Sequence, residues 1–201
     1  MSTLHLGFLA SHGGSNMQAI IDACKEGTLD AVPCVVISNN SEAMALERAR
    51  KAGIPRYHIS GKTHPGAAED QAILRTLRAH DVDTVILAGY MKKVGPLTLQ
   101  AFRGRILNIH PALLPKFGGQ GLFGQLVHEA VLKAGETVTG VTVHVVDEHY
   151  DHGRILAQCH VPVQGGDTVE SLAERVLKQE HRLYAATLQR IATGEIVLNS
   201  P

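Results

Sequence analysis

The feature that most constrains the fold is an alternation of short apolar segments with segments of helical spacing in the first half of the chain. The first pair is an apolar strand predicted over Leu4–Ala10 and a helix predicted over Ser15–Cys24. The pattern continues with strands predicted over Ala31–Ser38, Arg56–Ile59 and Thr84–Ala88, and helices over Ser41–Ala52 and Gly66–His80. Such alternation predicts an α/β fold, in which a parallel sheet is covered by helices on both faces and binds ligands at the carboxyl ends of its strands.

The second half of the chain changes this pattern. A strand is predicted over Arg105–Asn108, and two β-branched segments at Val138–Val146 and Ile155–Val163 follow each other without a helix between them. The second of these segments is predicted to return beside the first. We therefore expect a Rossmann-like, mostly parallel sheet with an antiparallel extension in the C-terminal half. Neither a repeat nor a linker interrupts the sequence, so residues 1–201 are predicted to form a single domain.

Composition argues against polyanionic partners. Lys and Arg together number 19, as do Asp and Glu, so the formal net charge is zero and no strong field attracts nucleic acid or an anionic membrane. The three cysteines are widely separated and match neither a disulfide framework nor a zinc site. Without a secretion signal or an apolar run of about 18–20 residues, the chain is expected to be cytoplasmic. Its assembly is expected to be a monomer or a homodimer.

The loop His12–Asn16, between the first strand and the first helix, has two compatible interpretations. Ser15 and Gln18 have the spacing of a capping box, which needs no ligand. The two glycines before them leave free N–H groups at a helix N-terminus, where a phosphate is favoured. The loop lacks the glycine spacing of a dinucleotide fingerprint and the lysine of a P-loop.

Polar residues collect at the end of the strand that begins at Arg105. Alternation places Asn108 and His110 on the same side, and Pro111 ends the strand directly afterwards. A structural role, with Asn108 capping a loop and His110 half-buried, is an equal alternative at this point. The acidic loop that contains Asp151 could be a solvated turn, but an aspartate that meets a histidine also fixes the protonation state of the imidazole.

Two motifs connect these residues to a known family. Asn108-Ile-His110-Pro111-Ala-Leu-Leu-Pro115 is followed by Gly140-x-Thr142-Val143-His144-Val-Val-Asp-Glu-x-Tyr150-Asp151-x-Gly153. Together they resemble the folate-dependent formyltransferase family, and the resemblance covers essentially the whole chain. It implies a formyltransferase fold and transfer of the formyl group of 10-formyltetrahydrofolate to the amino group of glycinamide ribonucleotide, a step of purine biosynthesis.

The resemblance also implies roles for individual residues, with no metal ion required. The catalytic set would be Asn108, His110 and Asp151. The ribonucleotide would be bound by Gly14, Ser15, Asn16, Pro111 and Glu180. The folate would be bound by Tyr90, Met91, Lys92, Val94, Val146 and Asp147. Residues 1–100 would then form the phosphate-binding half of the domain, and residues 101–201 the catalytic and folate-binding half.

Glu180 has support that is independent of the resemblance. It falls within the apolar face of the predicted last helix, where a carboxylate needs a cationic or amide partner. That face consists of Val169, Leu172, Ala173, Val176, Leu183, Tyr184 and Thr187. The alternative is a residue at the edge of the face that reaches water.

Three other functions remain open at this stage. A formyltetrahydrofolate deformylase would use similar residues with water as the acceptor, and a non-catalytic folate- or nucleotide-binding module would use the same pocket. A methionyl-tRNA formyltransferase would need an RNA-binding domain. Because the first strand begins at residue 4 and no basic tail precedes Pro201, we expect neither the extra N-terminal domain of a deformylase nor that RNA-binding domain.

Overall fold

A computed structural model describes residues 3–198 and consists of seven strands and six helices within that range. The strands are β1 (Leu4–Ala10), β2 (Ala31–Ser38), β3 (Arg56–His58), β4 (Thr84–Leu87), β5 (Ile106–His110), β6 (Val138–Val145) and β7 (Ile155–Pro162). The helices are α1 (Ser15–Lys25), α2 (Met44–Ala52), α3 (Ala67–Ala79), α4 (Pro96–Ala101), α5 (Gln125–Lys133) and α6 (Val169–Ala192). The predicted domain of residues 1–201 includes residues 1–2 and 199–201, which lie outside the described residues.

All seven strands form one sheet in the order β3-β2-β1-β4-β5-β6-β7. The pairs from β3 to β5 are parallel, whereas β6 is antiparallel to β5 and β7 is antiparallel to β6. The predicted fold class, a mostly parallel sheet with an antiparallel extension, is therefore confirmed. β5 runs two residues beyond the predicted end at Asn108, because Ile109 and His110 pair with Val143 and Thr142 of β6.

Both faces of the central strands are buried, as the alternation of strands and helices predicts. On β4, Val85 and Leu87 belong to one apolar cluster, whereas Ile86 belongs to the other. The first cluster includes Ile73 and Leu77 of α3, and the second includes residues of α1, α2 and α6. No helix among residues 3–198 is long and apolar enough to cross a membrane.

The sequence does not predict the two short helices, α4 and α5. α4 has six residues, too few to show a period, and it begins with Pro96 at its first turn. The Asp70 side chain accepts hydrogen bonds from the N–H groups of Leu97 and Thr98, at 2.7 and 3.1 Å. Asp70, a residue of α3, therefore caps the N-terminus of α4. α5 follows a glycine-rich loop that contains no strong start signal.

One buried hydroxyl attaches α6 to the two central strands. Tyr184 is fully buried, and its hydroxyl lies 2.8 Å from the carbonyl oxygen of Leu107 and 3.3 Å from that of Leu87. These carbonyls belong to the second residue of β5 and to the last residue of β4. Because Glu180 lies one helical turn before Tyr184, this attachment also fixes the position of Glu180 beside the strand ends.

Candidate active site

A cavity of about 1040 Å³ opens at the carboxyl ends of β1, β4 and β5. Its remaining walls come from the loop of residues 119–124, the start of α5, the acidic loop after β6 and one face of α6. This is the edge of the sheet at which an α/β fold binds ligands, and the volume is at the upper end of the range for small-molecule sites. Two ligands of moderate size can therefore be held side by side.

Most of the predicted site residues line this cavity. They are Gly14, Ser15, Asn16, Tyr90, Met91, Lys92, Asn108, His110, Pro111, Asp151 and Glu180. Three predicted folate residues do not line it. Val94 and Val146 pack against the apolar cluster on the α3 face of the sheet, and the Asp147 carboxylate accepts a hydrogen bond from the N–H of His149 at 2.8 Å.

The loop before α1 presents unsatisfied donors. The N-cap of α1 is Gly14 in a left-handed conformation (φ 65°), without a side-chain cap, so the predicted capping box of Ser15 and Gln18 is wrong. Glycine is required there, because a Cβ atom would lie 2.8 Å from that of Ala45. Within residues 3–198, the N–H groups of Gly14, Ser15 and Asn16 have no hydrogen-bond acceptor. The loop is therefore competent to bind an anion.

Asn108 is held by a histidine on the neighbouring strand. The antiparallel register places His144 opposite Asn108, and Asn108 Nδ2 lies 3.2 Å from His144 Nε2. His144 Nδ1 lies 3.0 Å from the carbonyl oxygen of Val145 and donates to it, which leaves Nε2 as the acceptor for the Asn108 amide. One N–H of the Asn108 amide is then engaged, and the second is available to a ligand in the cavity.

His110 is buried between a carbonyl and a carboxylate. Its Nε2 lies 2.7 Å from the carbonyl oxygen of Phe117 and must donate to it, which directs Nδ1 toward Asp151 Oδ2 at 3.5 Å. Burial lowers the pKa of His110, although the Asp151 charge and the Phe117 hydrogen bond act in the opposite direction. A proton that arrives on Nδ1 therefore faces a carboxylate directly.

Asp151 connects the two histidines. Its Oδ1 lies 3.5 Å from His144 Nε2, and its Oδ2 accepts a hydrogen bond from the N–H of Gly119 at 2.9 Å. Burial acts to raise the pKa of Asp151, but the charge of His110 and the hydrogen bond from the Gly119 N–H lower it. The carboxylate therefore stays ionised at neutral pH next to a buried imidazole. The backbone of Asp151, at φ 55°, lies in the left-handed region, which a residue other than glycine adopts stably only where the surrounding structure supports it.

Glu180 contributes a second buried carboxyl group. Its residue is 8% exposed, and burial raises its pKa to about 7, against a smaller opposing effect of the neighbouring Asn16 side chain. The Oδ1 atom of Asn16 is itself buried without a hydrogen-bond partner among the described residues. Both groups line the cavity, so a polar ligand there would satisfy them.

The sequence does not single out two further histidines at this site. His144 contacts both Asn108 and Asp151, as described above. His128 of α5 is 4% exposed and lines the cavity, and its Nδ1 has no partner within residues 3–198. A polar residue inside an apolar strand or on the buried face of a helix is the signal that could have indicated both. No group of His, Cys, Asp and Glu side chains in the described part of the chain has the arrangement of a metal site.

Comparisons with known proteins agree with this geometry. The sequence model of a family described as formyl transferase matches residues 5–188, and the chain belongs to that family. It is 44% identical over 193 residues to the chloroplastic phosphoribosylglycinamide formyltransferase of Vigna unguiculata, covering 96% of this chain but 62% of that protein. It is 39% identical to the phosphoribosylglycinamide formyltransferase of Bacillus subtilis, covering 90% of this chain and 91% of that one.

A solved structure gives the same relationship. The glycinamide ribonucleotide transformylase 1 of Symbiobacterium toebii superimposes with a TM-score of 0.91 at 43% identity, covering 98% of this chain and 92% of that chain.

The raised pKa of Glu180 predicts a specific effect of pH on stability. Since the native pKa lies at about 7 and the ordinary value at 4.5, the native state binds more protons than the unfolded state between these values. The free energy of unfolding therefore falls as the pH rises through this window. Glu180→Gln removes this titration. When the pH is raised from 5 to 8, the free energy of unfolding of the variant should therefore rise by on the order of 3 kcal/mol relative to that of the wild type.

Urea denaturation of both proteins at the two pH values measures this difference. Glu174→Gln is the matched control, because Glu174 is exposed on the same helix. Its pH dependence should follow the wild type. An identical pH dependence of Glu180→Gln and the wild type would show that Glu180 is not the group that titrates.

Proposed function

We propose that the protein transfers the formyl group of 10-formyltetrahydrofolate to the amino group of glycinamide ribonucleotide, in de novo purine biosynthesis. The observation that carries the proposal is the convergence of Asn108, His110 and Asp151 in a cavity whose other end presents the free N–H groups before α1. Two of the relatives described above are covered by this chain over most of their length, and both are named for the same activity. Both ligands are substrates, and the proposal includes no metal ion.

The ribonucleotide phosphate is assigned to the loop before α1. The N–H groups of Gly14, Ser15 and Asn16 are the donors, and the positive end of the α1 dipole adds a favourable field. Pro111 and Glu180 are assigned to the glycinamide end. The raised pKa of Glu180 supports a polar contact there, because a buried carboxyl group without a partner is unstable.

The folate is assigned to the wall that follows β4. Tyr90, Met91 and Lys92 line the cavity, and Met91 is 43% exposed. The side chains of Val94, Val146 and Asp147 lie outside the lining, so their assigned contribution is through backbone groups and through support of the wall. An apolar wall with a few polar groups suits a flat heterocycle.

Chemically, the amine nitrogen attacks the formyl carbon, a new C–N bond forms and the carbonyl oxygen becomes an oxyanion. The bond from that carbon to the folate nitrogen then breaks, and the proton lost by the amine is finally carried by the folate nitrogen. The free N–H of Asn108 is assigned to the oxyanion, because donors preplaced where charge develops give the largest rate effects. The Nε2–H of His110 is already donated to the carbonyl oxygen of Phe117. When protonated, His110 therefore contributes its positive charge rather than this N–H.

Asp151 is assigned to the proton transfer. Its lowered pKa keeps it ionised, so it stabilises the His110 imidazolium and accepts the proton of the attacking amine through water. Because Asp151 Oδ2 also accepts a hydrogen bond from the N–H of Gly119, the position of the Asp151 carboxylate depends on the loop between β5 and α5.

We also propose a cytoplasmic location and small molecules as the partners, rather than nucleic acid or membrane. The zero formal net charge supports this assignment. The assembly is proposed to be a monomer or a homodimer.

The acceptor distinguishes this function from the alternatives. Purified protein is mixed with 10-formyltetrahydrofolate, and tetrahydrofolate formation is followed by absorbance with and without glycinamide ribonucleotide. We expect turnover that requires the ribonucleotide. Turnover without it would indicate a deformylase, and no turnover in either mixture would indicate a binding module.

Asn108→Ala tests the oxyanion assignment. Removal of one oxyanion donor lowers kcat by about 10²- to 10³-fold, and we expect a loss of this size with the fold intact. Asn108→Asp, which replaces the amide N–H with an oxygen at the same position, should lose at least as much. Steady-state kinetics with both substrates saturating measures the effect, with circular dichroism as the control for folding. A loss below about tenfold would be incompatible with the assignment.

A further inference from the structure

Helix α2 holds the loop before α1 from behind. The N–H of Ala45 donates to the carbonyl of His12 at 3.0 Å, and Arg48 Nε donates to the carbonyl of Gly13 at 2.9 Å. Arg48 also reaches Gln18 of α1, with 3.4 Å between NH1 and Oε1. Arg48 does not line the cavity, whereas Gly13 and Gly14 do, so its contact with the loop is made outside the cavity.

These contacts determine where the loop donors point. In a trans peptide the carbonyl of one residue and the N–H of the next point in opposite directions. With the His12 carbonyl directed at α2, the N–H of Gly13 points away from α2. With the Gly13 carbonyl held by Arg48, the N–H of Gly14 points away from Arg48. The second contact therefore orients one of the three N–H groups assigned to the phosphate.

Arg48 also carries an unneutralised charge. No carboxylate lies within ion-pair distance of it among residues 3–198, and its two partners are a carbonyl and an amide oxygen. By contrast, Arg50 of the same helix donates to both carboxylate oxygens of Glu47, at 2.8 and 2.7 Å. This charge also acts on the nearby His181, whose pKa is lowered by burial and then by Arg48. A half-buried cation behind three free N–H groups complements a phosphate dianion.

We propose that Arg48 is a positioning residue for the phosphate of the ribonucleotide: it fixes the Gly13 carbonyl, so that the Gly14 N–H faces the cavity, and it supplies positive charge from behind the loop. The inference rests on the proposed function, which places a phosphate at Gly14, Ser15 and Asn16. It extends the phosphate site to a helix that does not contact the ligand.

Arg48→Met removes the donor and the charge but keeps an unbranched apolar stem. It should raise the KM for glycinamide ribonucleotide by about 10- to 100-fold, the range expected for a lost charge-assisted contact. The kcat and the KM for 10-formyltetrahydrofolate should stay within about threefold of the wild type, because the phosphate is bound equally in the ground and transition states. Arg48→Lys, which keeps a charged donor, should recover most of the loss. Arg50→Met is the matched control and should behave as the wild type.

An acceptor without a phosphate separates positioning from a general structural role. With glycinamide riboside as the acceptor, wild type and Arg48→Met should have the same kcat/KM within about threefold, since no phosphate is present to feel the change. An equal loss with both acceptors would overturn the proposal, as would an unchanged KM for the ribonucleotide. A wild-type protein that does not formylate glycinamide ribonucleotide would instead refute the proposed function. Titration with inorganic phosphate gives a readout independent of turnover, and weaker binding by Arg48→Met is expected.

Discussion

The pairing of β5 along both of its edges is the constraint on which the candidate site depends. β5 is parallel to β4 on one side and antiparallel to β6 on the other. The parallel pairing brings its carboxyl end to the edge where β1 and β4 also end. The antiparallel pairing brings β6 back along it, with His144 opposite Asn108, and leads the chain into the loop that carries Asp151. Two motifs that are far apart in the sequence therefore meet at one strand end.

This arrangement concentrates buried polar groups, each of which needs a partner to be stable. His110 is satisfied by the Phe117 carbonyl, and Asp151 by the Gly119 N–H. Both of these stabilising contacts come from the loop between β5 and α5, so the geometry of His110 and Asp151 is coupled to that loop. Glu180 and Asn16 are less well satisfied. A site that leaves polar groups for a ligand to complete is less stable when empty and more selective when filled.

Much of the scaffold could be predicted, because apolar periodicity determines which residues are buried in strands and helices. The carboxyl-end location of Asn108 and His110 followed from alternation along one strand and from Pro111. The length of β5 could not be predicted, since its last two residues are held by β6, and neither could the register that pairs His144 with Asn108. Long-range pairing of this kind leaves no local signal in the sequence.

Three features of the site lie outside what the spacing of residues could predict. Ser15 has a capping-box spacing, but the tight contact between Gly14 and Ala45 shifts the cap to the glycine. The side chains of Val94 and Val146 pack against the apolar cluster on the α3 face of the sheet and do not line the cavity. Arg48 acts on a loop 35 residues earlier in the chain, a distance across which spacing conveys nothing.

The central claim is that one cavity holds both substrates with the formyl group between Asn108 and His110. A crystal structure with glycinamide ribonucleotide and an unreactive folate analogue tests it directly. The account predicts phosphate oxygens at about 3 Å from the backbone nitrogens of Gly14, Ser15 and Asn16, and the formyl-bearing folate nitrogen beside Asn108. A phosphate bound away from this loop, or a folate whose reacting atom lies outside hydrogen-bond reach of the Asn108 and His110 region, would contradict it.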